Sequence, residues 1–114
     1  MRLRSDIWVA AYLRRVPLEG AYAALRRRGA AEAGAIFVKV DRLDGRAALF
    51  EPAPQSQFSD RGVERLWTRA HEEEWVGGEF VEARMAREIA FDPDLWLIEV
   101  EDRAGRCWLD LAAE

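Results

Sequence analysis

The sequence predicts one α/β domain spanning residues 1–114, with a mixed, mainly antiparallel sheet covered by helices. Three observations predict it. Residues 35–40 put Ile36, Val38 and Val40 on one face of an extended chain, and an Asp44-Gly45 turn joins them to a second extended run over Ala47–Glu51. Val81, Met85 and Ile89 recur four apart with Phe80 beside them, the pattern of a helix with one apolar face. The length, 114 residues of which 50% are hydrophobic, suffices for one core and leaves no room for two.

The elements follow in chain order. Residues 6–16 open on Ile7-Trp8-Val9 and stop at Pro17; the β-rich start and the extended preference of a residue before proline predict a strand over a helix. Residues 18–28 predict a helix, with Ala21, Tyr22 and Leu25 on one face and Gly29 as its stop. The hairpin of 35–40 and 47–51 comes next. Pro52-Ala53-Pro54 ends it, because proline cannot donate into a ladder, and a loop of about ten residues carrying Gln55 and Ser56 follows as a candidate working surface. Val63–His71 predicts a strand, and Gly77-Gly78 separates it from a helix over 79–90 whose first turn carries Glu79 and Glu82. Leu95–Glu101 and Arg106–Leu111 predict a closing hairpin. The expected order is β-α-β-β-β-α-β-β.

Composition narrows the function classes. No apolar run approaches the ~20 residues that cross a bilayer, and Met1–Asp6 lacks the apolar stretch of a secretory signal. Cys107 is the single cysteine, so no internal disulfide forms, and the expected compartment is the cytoplasm. Lys39 is the single lysine among 17 basic residues. Residues 1–50 carry a net +5 and residues 51–114 a net −9, so the halves attract across the fold, and the overall −4 disfavours a generic polyanion partner.

Several segments together resemble a bacterial domain-of-unknown-function family, number 1491, known mostly from alphaproteobacteria. They are Ser5-Asp6-Ile7-Trp8-Val9 with Arg14-Arg15, Arg27-Arg28-Gly29 with Ala33-Gly34-Ala35, Pro52-Ala53-Pro54-Gln55, and Phe91-Asp92-Pro93-Asp94-Leu95-Trp96 with Glu99-Val100-Glu101-Asp102. The resemblance covers nearly the whole chain. It implies an α/β sandwich in a bacterial cytoplasm and brings no activity or catalytic residue with it.

Candidate chemistry is sparse. Asp92, Asp94, Glu99 and Glu101 form an oxygen-rich run, but its spacing does not match a calcium loop; the plainer reading makes Asp92 a turn cap before Pro93 and turns both glutamates to water unless another acid such as Glu51 meets them. A nuclease core needs an acid followed two positions later by lysine on the adjacent strand, and the chain has none there. One His71 and one Cys107 exclude a zinc site of ordinary composition, no serine sits in a nucleophile elbow, and no glycine loop cradles phosphate. No metal and no cofactor is expected. Arg14, Arg15, Arg27 and Arg28 are the candidates for phosphate, with Arg26 beside them, and Trp67 between Arg65 and Arg69 is the candidate for stacking on a base. Trp75, Trp96 and Trp108 are anchors for a partner if exposed.

The sequence therefore ranks a non-enzymatic binding or adaptor domain first. Nucleic-acid or phosphate binding through the N-terminal arginines comes second, and a metal-dependent carboxylate enzyme third. A protein partner or a second copy of the chain ranks ahead of nucleic acid, and no membrane is expected.

Overall fold

The computed structural model describes residues 3–54 and 65–112. Gln55, Ser56 and the first part of the predicted 63–71 strand lie outside them. The elements are α1 (Ser5–Leu18), β1 (Tyr22–Arg27), β2 (Ile36–Asp41), β3 (Arg46–Pro52), β4 (Trp67–Arg69), β5 (Val76–Gly77), α2 (Gly78–Phe91) and β6 (Trp96–Glu101). Among the described residues they form one mixed, mostly antiparallel sheet in the order β1-β6-β2-β3-β4, with β5 also paired to β3 and a helix on each face.

The first two predicted elements are exchanged. Residues 6–16 belong to a helix, and 18–28 hold the end of that helix and an edge strand. The reason is periodicity outweighing local preference. Ser5, Val9, Tyr12 and Val16 are the buried residues of α1, spaced four, three and four apart. Pro17 sits in the final turn, where its missing N–H forgoes only the bond to the Leu13 carbonyl, so it does not break the helix. In the next segment Ala21, Ala23 and Leu25 pack on the core at every second position, a strand period that the helix propensity of alanine obscures.

The predicted closing hairpin does not form either. β6 is antiparallel to β1 on one side and parallel to β2 on the other, so neither edge is free for residues 106–111. Gly105 (φ 76°) and Trp108 (φ 55°) turn the chain off the sheet, and it reaches the far edge, where Leu111 makes an isolated parallel bridge to Trp67.

Because β2 and β6 are central, both their faces are covered. Ile36, Val38, Val40, Trp96, Ile98 and Val100 point toward α1, and Phe37, Leu95 and Leu97 toward α2. Each such burial contributes roughly 1.5–3 kcal/mol before the entropy cost of ordering. The α2 side also carries Lys39 and Glu99, so that face turns from apolar to ionic along its length.

One end of the molecule explains why the family-like segments travel together. Arg4, at the N-cap of α1, gives no side-chain cap; the Ser5 and Asp6 amides donate instead to the carbonyls of Glu32 and Ala31 at 3.1 and 3.0 Å. Ser5 Oγ donates to the Gly34 carbonyl at 2.7 Å and accepts from Arg65 Nη2 at 3.2 Å. Ala30 N–H donates to the Asp94 carbonyl, and the Trp96 indole donates to the Ala30 carbonyl at 2.8 Å. Gly29 and Gly34 are pressed against this same Asp94 carbonyl, leaving no space for a Cβ.

Candidate functional site

The predicted arginines do not form one patch. Arg27 Nη2 donates to the Pro93 carbonyl at 2.7 Å, and Arg28 lies over the Trp96 ring at 5.4 Å, both at the end where α1 begins. Arg14 and Arg15 lie nine and ten positions further along α1, about 14 Å away at 1.5 Å per residue. Arg26 turns to the opposite face of the sheet. There it is the extra residue of a β-bulge, since Leu25 pairs with Ile98 but Arg27 pairs with Leu97, and a bulge re-aims its side chain.

Arg26 joins an ionic network instead. Its Nη1 and Nη2 reach the two Glu82 oxygens at 2.7 Å each, and Nη1 also reaches Glu99 at 3.0 Å. Lys39, with only 8% of its side chain exposed, donates to Glu82 at 2.7 Å and lies 3.9 Å from Glu99 and 4.0 Å from Asp41. The hydrogen bonds from Arg26, then those from Lys39, hold the Glu82 carboxyl down at about 2. The cluster thus sets the carboxylates of Glu82, Glu99 and Asp41 against the two cations Arg26 and Lys39. It ties α2 to β1, β2 and β6 and offers no uncommitted group.

The remaining acidic candidates separate. Asp92 Oδ1 accepts the Asp94 amide at 3.0 Å, the turn cap expected of it, and neither reaches Glu99. Glu101 lines a shallow depression with Tyr22 and Arg103. Asp102 is buried and clasped by Arg106, whose side-chain bonds hold its carboxyl below the usual range. No group of three or more metal-ligating side chains comes together among the described residues. Burial pushes the Cys107 thiol up, and His71 has both ring nitrogens engaged with backbone, to the Leu49 amide and the Glu73 carbonyl.

What the fold does bring together is an aromatic pocket. On α1, Trp8, Ala11, Tyr12 and Arg15 lie three or four residues apart, which places them on one flank of the helix, beside its core-facing stripe. Trp8 stacks on Tyr12 (centroids 4.8 Å, interplanar angle 16°) and tilts against Trp67 at 4.7 Å. Trp67 is held at its buried end by an indole N–H bond to the Ile36 carbonyl at 2.9 Å. The other wall is the segment after β6. The Tyr12 hydroxyl donates to the Cys107 carbonyl at 2.6 Å, and Trp67 N–H donates to the Asp110 carbonyl at 2.9 Å, so the segment is strapped to helix and sheet at once. Between these anchors Trp108 stands at φ 55°, the left-handed region, with the Arg106 guanidinium 4.8 Å over its ring. A bulky residue there costs roughly 1–3 kcal/mol and persists only where surroundings impose it, a mark of functional sites.

The cavity so formed, partly open to solvent, is about 130 Å³. Two larger depressions lie elsewhere among the described residues; in one, Arg69 donates to the Glu74 carbonyl and covers Phe50 and Trp75, and His71 is bound as described, so its aromatic and basic groups are engaged. Neither Arg15 nor Asp110 has a side-chain hydrogen bond or ion pair among the described residues, although both line the aromatic pocket. Of its residues, prediction named Arg15, Trp67 and Trp108. It missed Trp8, Tyr12 and Asp110, and for the first two the signal was available in the three- and four-residue spacing of Trp8, Ala11, Tyr12 and Arg15.

Comparison with known proteins agrees with this fold. The chain matches the model of a protein family of unknown function, DUF1491, over residues 3–110. A crystal structure of a DUF1491 family protein from Caulobacter crescentus CB15 is 39% identical, with a TM-score of 0.78, and the match covers 99% of this chain and 100% of that one. A solution structure of protein Atu0922 from A. tumefaciens is 39% identical with a TM-score of 0.80, covering 100% of this chain and 98% of that one. An NMR structure of a DUF1491 family protein from C. crescentus is 42% identical with a TM-score of 0.78 and the same coverage. No curated protein matches the chain.

Proposed function

The chain belongs to the DUF1491 family, and from this premise and the geometry of its pocket we propose that it is a non-enzymatic binding domain that takes up a flat ring between α1 and the strap that follows β6. The observation that carries the reading is the aromatic lining of the cavity, with Trp108 held in a strained backbone conformation to complete it. A preformed aromatic wall binds a ring with little ordering cost. A cavity of about 150 Å³ holds a benzene ring, so the cavity of about 130 Å³ here is matched to one six-membered ring rather than to a drug-sized molecule. Phosphate recognition by converging arginines is the weaker reading, since Arg27 and Arg28 are committed at the far end of α1. A carboxylate-centred reaction is weaker too, because Glu82, Glu99 and Asp102 are already paired with cations.

The test is a titration with p-cresol followed by the five indole N–H signals in a proton–nitrogen NMR spectrum. The Trp8 and Trp108 signals are expected to move while Trp96, bonded to the Ala30 carbonyl in the core, stays fixed. Ala11→Phe, which places a ring in the cavity from an exposed helix position, is expected to abolish the shift and leave the thermal midpoint in place. Unmoved Trp8 and Trp108 signals at millimolar p-cresol would overturn the reading.

A further inference from the structure

The pocket carries a chemical feature beyond its aromatic walls. Arg15 on α1 and Asp110 on the strap are opposite charges that line the same small cavity, and they neither pair with each other nor have any other side-chain partner among the described residues. Some of the chain's other charges are paired, Arg26 with Glu82, Arg84 with Glu51 and Glu88, and Arg106 with Asp102, whereas these two line a cavity unpaired. A free guanidinium and a free carboxylate at one aromatic cavity present complementary charge to a ligand that carries both signs.

Resting on the ring-binding reading above, we propose that the ligand is a free aromatic α-amino acid, bound as its zwitterion. Its ring enters between Trp8 and Trp108, its carboxylate meets the Arg15 guanidinium, and its ammonium meets the Asp110 carboxylate. The cavity, about 130 Å³ and partly open to solvent, has about the volume of one six-membered ring. Charge selects the zwitterion. The ligand and the Arg15–Asp110 pair are each neutral overall, whereas a pyrimidine nucleotide would bring its phosphate charge to a chain of net −4 and to the neighbourhood of Asp110. The arginine fork accepts a carboxylate through two parallel hydrogen bonds.

The experiment compares L-phenylalanine, 3-phenylpropionate, phenethylamine, cytidine monophosphate and p-cresol on the full chain, with affinities read from the Trp8 and Trp108 indole signals. Phenylalanine is expected to bind about ten-fold tighter than either analogue lacking one charge. Asp110→Asn should erase the advantage over 3-phenylpropionate alone, and Arg15→Gln the advantage over phenethylamine alone. Both positions are exposed, so neither change threatens folding. Equal affinity for all the ring ligands would overturn the amino-acid proposal and leave the ring-binding reading standing. Tighter binding of cytidine monophosphate would also overturn it, in favour of a nucleotide. Silence toward every ligand including p-cresol would overturn both.

Discussion

The imidazole Nε2 of His71 accepts the Leu49 amide proton at 3.0 Å, at the point where the outer edge of β3 passes from one partner strand to another. β4 pairs with Phe50–Pro52 and β5 with Arg46–Ala47, so Leu49 faces the gap between them. The second ring nitrogen donates to the Glu73 carbonyl at 2.7 Å, which fixes the neutral tautomer with its proton on Nδ1. A side chain thus stands in for a missing strand residue.

Replacing His71 with alanine is therefore expected to cost about 1–3 kcal/mol, the penalty for leaving the amide of buried Leu49 without its acceptor. Urea unfolding followed by circular dichroism would measure it. Amide exchange provides the specific check: Leu49 N–H should exchange faster in the variant while Val38, in the centre of the sheet, keeps its protection. An unchanged Leu49 rate would show that the imidazole contributes nothing there.

The ionic network sets an acid-side stability limit. The Glu82 carboxyl is held at about 2, below its ordinary value near 4.5, by Arg26 and then Lys39. A depressed carboxyl favours the native state wherever the unfolded chain is also ionised. That contribution is complete above the ordinary carboxylate range and is lost as pH falls toward about 2. Glu82 is 43% exposed, so screening reduces the benefit to about 1 kcal/mol. Glu82→Gln is expected to lower the thermal midpoint at pH 7, with the gap to wild type closing as pH falls from about 4.5 to about 2. A gap that stayed constant across that range would contradict the assignment.

Close backbone contact at the α1-proximal end predicts a sharp contrast among glycines. A Cβ on Gly29 would lie 2.6 Å from the Leu95 carbonyl carbon, and one on Gly34 would lie 2.9 Å from Ala30 N, in both cases after striking the Asp94 carbonyl. Backbone cannot swing aside as a side chain does, so Gly34→Ala should cost about 1–3 kcal/mol. Gly78, in the first turn of α2, has nothing within 4 Å of an added Cβ. Gly78→Ala should be neutral or stabilising by up to about 1 kcal/mol. Thermal denaturation of the two variants side by side decides it, and equal midpoints would refute the close-contact account.

Legibility from sequence followed the clarity of the periods. Ile36, Val38 and Val40 alternate cleanly, and their predicted shared face is the one that packs on α1; the four-residue spacing of Val81, Met85 and Ile89 placed α2 within a residue at each end. The first helix was misread because Ile7-Trp8-Val9 mimics a strand start, while its burial pattern at Ser5, Val9, Tyr12 and Val16 emerges only over the full length. That error hid the pocket. As a strand, Ala11 and Arg15 fall on the face opposite Trp8 and Tyr12, and only a helix gathers all four. Asp110 was beyond reach for another reason: its place depends on β6 having both edges occupied, a fact of topology that no local window holds.

The strand order also carries a consequence for biosynthesis. β1 and β2 are separated in the sheet by β6, which the ribosome delivers only with residues 96–101. Until then β1 has no strand partner, and the α1 side of the core lacks Trp96, Ile98 and Val100. The amino-terminal strand can therefore join the sheet only once β6 has been made, and its pairing is among the last that the growing chain can form.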